Sequence, residues 1–157
     1  MAAEGEDLIN LYSKRILALA ADMPHAERLE APQASAMKRS PLCGSTVTVD
    51  LDYEDGKVTR YGQDVKACAL GQASSAVLGG AVLGRTRDEI VKGRDQLRAM
   101  LKEDGPVPDA PFDALEVLEP ARDYKNRHAS ILLAWEATLA AIDEIEAARA
   151  KAEASAG

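Results

Sequence analysis

Basic residues are the minority charge in this chain: 19 Lys and Arg stand against 26 Asp and Glu, a formal charge of −7 over 157 residues. Nucleic-acid binding rests on clustered cations that neutralise phosphates, so that class of partner is excluded. Long apolar runs are absent too. The segment from Leu70 to Leu83 is small and glycine-rich and stops at Arg85, short of the roughly 18 consecutive apolar residues that a membrane span requires. The N-terminus carries Glu4, Glu6 and Asp7 without a basic region leading into an apolar core. It does not read as a secretory signal, and the cytoplasm is the expected compartment. Cysteine is scarce, with Cys43 and Cys68 alone. In a reducing compartment two thiols read as free groups, metal ligands or redox groups rather than a structural disulfide. What is there, 46% hydrophobic and 29% charged, suffices for one globular domain with a core and fits an acidic, soluble interaction protein.

Periodicity organises the chain. Leu8, Tyr12, Ile16 and Leu19 line one face of an amphipathic helix over about residues 5 to 21, closed by Met23-Pro24. From Pro24 to Pro41 no period is sustained, which reads as a loop or an irregular approach to a strand. Val47, Val49, Leu51 and Tyr53 then alternate strictly with Thr46, Thr48, Asp50 and Asp52, the pattern of a half-buried strand. Glu54-Asp55-Gly56 supplies turn chemistry, and Val58 to Ala67 is the return strand, with a bulge expected at Gly62. Leu70, Ala73, Val77 and Ala81 give a closely packed, glycine-bearing helix over 69–83. Thr86-x-x-Glu89 is a capping box opening a second helix, with Ile90, Leu97 and Leu101 inward, that Asp104-Gly105-Pro106 stops. Ile131, Trp135, Leu139, Ile142 and Ile145 mark a long helix from near Arg127 to near Ala150, whose Glu144, Glu146, Arg149 and Lys151 read as solvated surface.

The two cysteines flank the predicted hairpin, and an antiparallel hairpin returns the chain to its starting edge. Cys43 and Cys68 are therefore expected at one site. With His25 and His128 they are the candidate soft ligands, thiolate and imidazole being donors that suit zinc or iron-sulfur chemistry. The spacing is not a CxxC pattern, and buried inert thiols are the plain alternative. His25, beside Pro24 in a polar loop, reads as exposed; Asp50 and Asp52 read as a solvated strand face rather than an acid-base pair. Gly79, Gly80 and Gly84 lack the GxxxxGK[ST] pattern of a phosphate loop, so close helix packing is their reading. Lys38-Arg39, just ahead of Cys43, is either plain surface or an attraction for an acidic partner.

Pro41-Leu42-Cys43-Gly44 ahead of an alternating strand, the hairpin, Cys68 opening a helix that carries Ala73-Ser74-Ser75, and a terminal helix with Leu133-Ala134-Trp135 together resemble the iron-sulfur cluster assembly scaffold family. That is the family of the NifU N-terminal domain, with its IscU-type scaffolds and its SufU-type zinc-dependent sulfur acceptors. The resemblance spans about residues 8 to 142 and implies an α+β fold, a small antiparallel sheet of about three strands packed against helices, in a single domain over 1–157 whose last helix extends to about 150. The family site holds a nascent cluster or zinc on three cysteines with an aspartate nearby.

Carried over by position, Cys43 and Cys68 match the first two cysteines, and Ser45 stands where the aspartate is usual. The third cysteine falls on Ala129 if His128-Ala129-Ser130-Ile131 is aligned with IscU-type members, and on Ser130 if Ser130 to Trp135 is aligned with SufU-type members. Neither supplies a thiolate; His128, a water or a partner's ligand could close the site. The Leu-Pro-Pro-Val-Lys chaperone segment is not found; Leu118-Glu119-Pro120 is at best a remnant. The resemblance implies a scaffold-like protein that accepts sulfur and binds iron or a transient [2Fe-2S] cluster on Cys43, Cys68 and His128. Its implied partners are a cysteine desulfurase and apo iron-sulfur proteins, with neither nucleic acid nor membrane. A zinc-dependent sulfurtransferase of the SufU type and a diverged interaction module without a competent metal site are the alternatives.

Overall fold

The alternating strand is the centre of the molecule. In the computed structural model, which describes residues 13–156, three antiparallel strands lie in the order β1-β2-β3: β1 (Ala34–Arg39), β2 (Thr46–Glu54) and β3 (Lys57–Lys66). Val47, Val49 and Leu51 are fully buried and Tyr53 nearly so, because successive side chains of a strand point to opposite faces and this face meets the helices. The helices are α1 (Lys14–Ala21), α2 (Ala69–Ala81), α3 (Arg87–Lys102) and α4 (His128–Ala156), with 3-10 turns at Asp113–Asp123 and Lys125–Arg127 before α4. The α+β class and the three-strand sheet packed against helices are as expected. Leu8 and Tyr12 of the first predicted helix lie outside the described residues.

α4 is the structural keel. It packs on β1 and β2 and also carries α2 and α3, so its first half is buried nearly all round: Ile131, Leu132, Leu133, Trp135, Ala137 and Leu139 are at most 6% exposed. The capping box of α3 forms as read, Thr86 accepting from the Glu89 amide while Glu89 accepts from the Thr86 amide, both at 3.1 Å. No helix among the described residues is long and apolar enough to cross a membrane.

β1 is a true strand although its sequence, ASAMKR, lacks β-branched residues; it owes its conformation to the ladder with β2, from Ala34–Leu51 to Arg39–Thr46. The irregularity in β3 falls at Thr59, between the pairs Asp52–Arg60 and Tyr53–Val58, and not at Gly62. Gly62 is needed for space, since a Cβ there would strike the Glu27 carbonyl oxygen. Arg149 is not simply solvated: its guanidinium donates to the Tyr53 carbonyl and lies 3.3 Å from Glu54.

Asp50 is not on a solvated face: it is fully buried. The segment ahead of β1 folds over that face, and Asp50 accepts from Arg28 Nε at 2.6 Å, Arg28 Nη2 at 3.0 Å, the Leu29 amide at 3.0 Å and the Ser35 hydroxyl. Burial alone would push its carboxyl pKa up. The hydrogen bonds from Arg28, Ser35 and Leu29 outweigh burial and hold it below the usual carboxylate range.

Candidate functional site

The thiol site is assembled at the end of the sheet where β1 hands over to β2 and β3 hands over to α2. Residues 40–45 close a tight loop: the Ser40 amide donates to the Ser45 carbonyl at 2.8 Å and the Gly44 amide to the Ser40 carbonyl at 2.9 Å. Gly44 has φ +69° with open space around it, so the backbone angle, and not crowding, calls for glycine there. This loop lifts Cys43 into solvent. On the other side, Thr46 pairs with Lys66, and the chain runs two residues further to Cys68, the half-buried N-cap of α2.

Between the two sulfurs stands a pair of buried serines. Ser45 Oγ donates to Cys43 Sγ over 3.7 Å, Ser130 Oγ lies 3.7 Å from Cys68 Sγ, and the two hydroxyls are hydrogen-bonded to each other at 3.1 Å. A third hydroxyl, that of the fully buried Ser40, sits 3.2 Å from Cys43 Sγ. The Ser40 hydroxyl is the main reason that the Cys43 thiol titrates below its ordinary value. Burial opposes it, and the Ser45 hydroxyl and amide and the Ser130 hydroxyl assist. Hydroxyl donors favour the charged form of the sulfur, and the thiolate is the nucleophilic and metal-binding form.

α2 and α4 must approach closely for Ser130 to reach Cys68. Gly71 allows it, since a Cβ there would lie 2.8 Å from Ser130 Oγ. Ser74 Oγ donates to the Ile131 carbonyl at 2.7 Å and accepts from Trp135 Nε1 at 3.0 Å, so two of the motifs singled out in the sequence, Ala73-Ser74-Ser75 and Leu133-Ala134-Trp135, clamp the helices that carry the site.

The structure places Cys43 and Cys68 at the two ends of one hydroxyl chain through Ser45 and Ser130 and does not bring His128 to them. His128 is 3% exposed, and its Nε2 lies 3.0 Å from the Ala121 carbonyl oxygen; the ring ties the start of α4 to the preceding 3-10 turn. Among the described residues no three His, Cys, Asp or Glu side chains are grouped as a metal site needs. His25 is exposed, with φ +54°. Ser40 is the site residue that the sequence did not flag, and no local signal marks it, since its role depends on the loop closing back on itself.

No protein-family model matches the chain. Among curated proteins it is 22% identical over 118 residues to the iron-sulfur cluster assembly scaffold protein IscU of Streptococcus pyogenes serotype M1, covering 75% of this chain and 74% of that protein. Among solved structures it matches the N-terminal part of a nitrogen-fixing NifU-like protein from Brucella abortus at 48% identity and a TM-score of 0.87, covering 89% of this chain and 97% of the other. It shares its fold with a putative SUF-system scaffold protein from Fervidobacterium islandicum AW-1, at 19% identity, a TM-score of 0.74 and coverage of 85% and 97%.

Proposed function

Since the chain belongs to the NifU and IscU-like scaffold family, we propose that it is an iron-sulfur cluster assembly scaffold-like protein in which Cys43 and Cys68 accept sulfur and hold iron or a transient [2Fe-2S] cluster for transfer to apo-proteins. The observation that carries this reading is the convergence of both thiols on the hydroxyl pair Ser45–Ser130 at an end of the sheet where Cys43 is exposed.

The sulfur step needs only an accessible thiolate. With a cysteine desulfurase as the donor, Cys43 attacks the outer sulfur of the donor's cysteine persulfide. A new sulfur-sulfur bond forms on Cys43, the donor's sulfur-sulfur bond breaks, and its electron pair returns to the donor cysteine as thiolate. The step needs no net oxidant. The Ser40 hydroxyl lies against the Cys43 sulfur and Ser45 donates to it, and these contacts lower the thiol pKa and so favour the attacking form.

Iron or a cluster is then cargo on two thiolates, with two neutral hydroxyls where the family has further ligands. A resident zinc fits this donor set poorly, because structural zinc takes four thiolate or imidazole donors and catalytic zinc three protein ligands. The weak donor set favours release over retention.

Transfer of radiolabelled sulfur from cysteine by a desulfurase, together with anaerobic reconstitution using iron and sulfide, tests the reading. Label on Cys43 that is lost in Cys43→Ser, and a visible absorption band that needs both cysteines, are the expected results. Neither label nor colour would leave the chain as an interaction module that keeps the family fold.

A further inference from the structure

Four cations without carboxylate partners line one groove of this acidic molecule. Lys38 and Arg39 at the end of β1 stand with Arg98 and Lys102 of α3 around an open groove of about 340 Å³. Its floor is the start of α4, where Leu132 and Leu133 are nearly buried, and Glu136, held by Arg94 at 3.4 Å, forms part of the wall. None of the four cations has an ion pair or hydrogen bond among the described residues, whereas Arg28, Arg60, Arg87, Arg94 and Arg149 each hold a carboxylate.

Grouped like charges repel, and the fold gains nothing visible from this group. Its placement is informative. Arg39 precedes Ser40, which touches the Cys43 sulfur, and the groove residue Ala129 precedes Ser130. Groove and thiols therefore share a border. On the thiol loop itself Leu42 is 77% exposed, an apolar contact offered to whatever lies there.

We propose that this groove docks an acidic segment of a partner protein, a stretch of Asp and Glu with interspersed apolar side chains, and holds it beside the Cys43 thiol. Charge complementarity names the occupant: the groove is positive in a chain of net charge −7, so a short acidic segment is attracted locally while the rest of the molecule repels an extended polyanion. The carboxylate of Glu136 and the apolar floor disfavour a phosphate backbone in the same place. The inference stands apart from what the thiols carry.

Fluorescence anisotropy of a labelled peptide in which glutamates alternate with leucines tests it on the full chain. Saturable binding that weakens with added salt is expected, and Arg98→Glu/Lys102→Glu should weaken it roughly tenfold or more. Lys57→Glu/Lys151→Glu, which changes net charge equally outside the groove, should leave it unchanged. Arg98→Gln/Lys102→Gln, expected to weaken binding with the circular dichroism spectrum intact, guards against a folding defect in the reversal. Absence of binding, or equal loss in both charge reversals, overturns the proposal. So does a single-stranded DNA oligomer or a phosphatidylserine vesicle that binds as tightly as the peptide and displaces it.

Discussion

Ser130 Oγ lies 3.1 Å from Ser45 Oγ although 85 positions separate the two residues. One belongs to the first turn of α4 and the other closes the thiol loop, and each hydroxyl also reaches a cysteine sulfur, Ser45 that of Cys43 and Ser130 that of Cys68. Of the two positions left open by the sequence, Ser130 faces the thiols, while Ala129 is exposed and lines the neighbouring groove.

Ser130→Cys should therefore complete a three-thiol site and Ala129→Cys should not. Titration of the zinc- or iron-loaded protein with a graded chelator checks it. Ser130→Cys is expected to raise the chelator concentration for half-removal by roughly tenfold or more, about 1.4 kcal/mol, with Ala129→Cys close to wild type. Equal gains in the two variants would mean that α4 presents its first turn otherwise.

Cys43 should react as a thiolate at lower pH than an unperturbed cysteine, because hydroxyl donors hold its pKa down, Ser40 first among them. In a Cys68→Ser background the pH-rate profile of iodoacetamide alkylation reports Cys43 alone. The midpoint should lie below that of an unperturbed cysteine measured in the same way, and Ser40→Ala should move it upward. No movement would assign the shift to another group.

Asp50→Asn removes the charge on which Arg28 and the Leu29 amide converge, and should cost about 2 to 3 kcal/mol in urea unfolding at neutral pH. The folded carboxyl is held below its unfolded value, so its contribution is complete above the unfolded pKa of about 3.9 and is lost as pH falls below it. The wild type should lose stability between pH 5 and the acid range, while the variant should lose less over the same window.

His128→Ala should lower stability by about 1 to 3 kcal/mol, since it leaves the Ala121 carbonyl without its ring partner and opens a buried space. Metal or cluster retention, measured at a temperature where both variants are folded, should match that of His25→Ala. Selective loss of retention in His128→Ala would place the imidazole among the ligands and overturn the assignment made from its hydrogen bond.

Much of this was written locally in the chain. The alternation of Val47 to Tyr53, the turn at Glu54-Asp55-Gly56, the capping box at Thr86 and Glu89 and the apolar period of α4 are properties of neighbours, and each appears where the pattern placed it. The order of these elements also carried the resemblance to the scaffold family, and the two cysteines at the feet of a hairpin could be expected together because antiparallel pairing returns the chain to one edge.

What the tertiary structure decided are the facing surfaces. Periodicity says which side of an element is apolar but not which other element it meets. So the sequence by itself determined most of the elements and their order and put Cys43 and Cys68 at the feet of one hairpin, whereas β1 became a strand only through its ladder with β2. Asp50 is buried by the segment ahead of β1 folding over the other face, and His128 is engaged by the 3-10 turn before α4, whereas the contact of Ser130 with Ser45 and the gathering of Lys38 and Arg39 with Arg98 and Lys102 arise only once α4 lies across the sheet. There the Ser74–Ile131 hydrogen bond and the missing Cβ of Gly71 let two helices approach closely enough for distant polar side chains to touch.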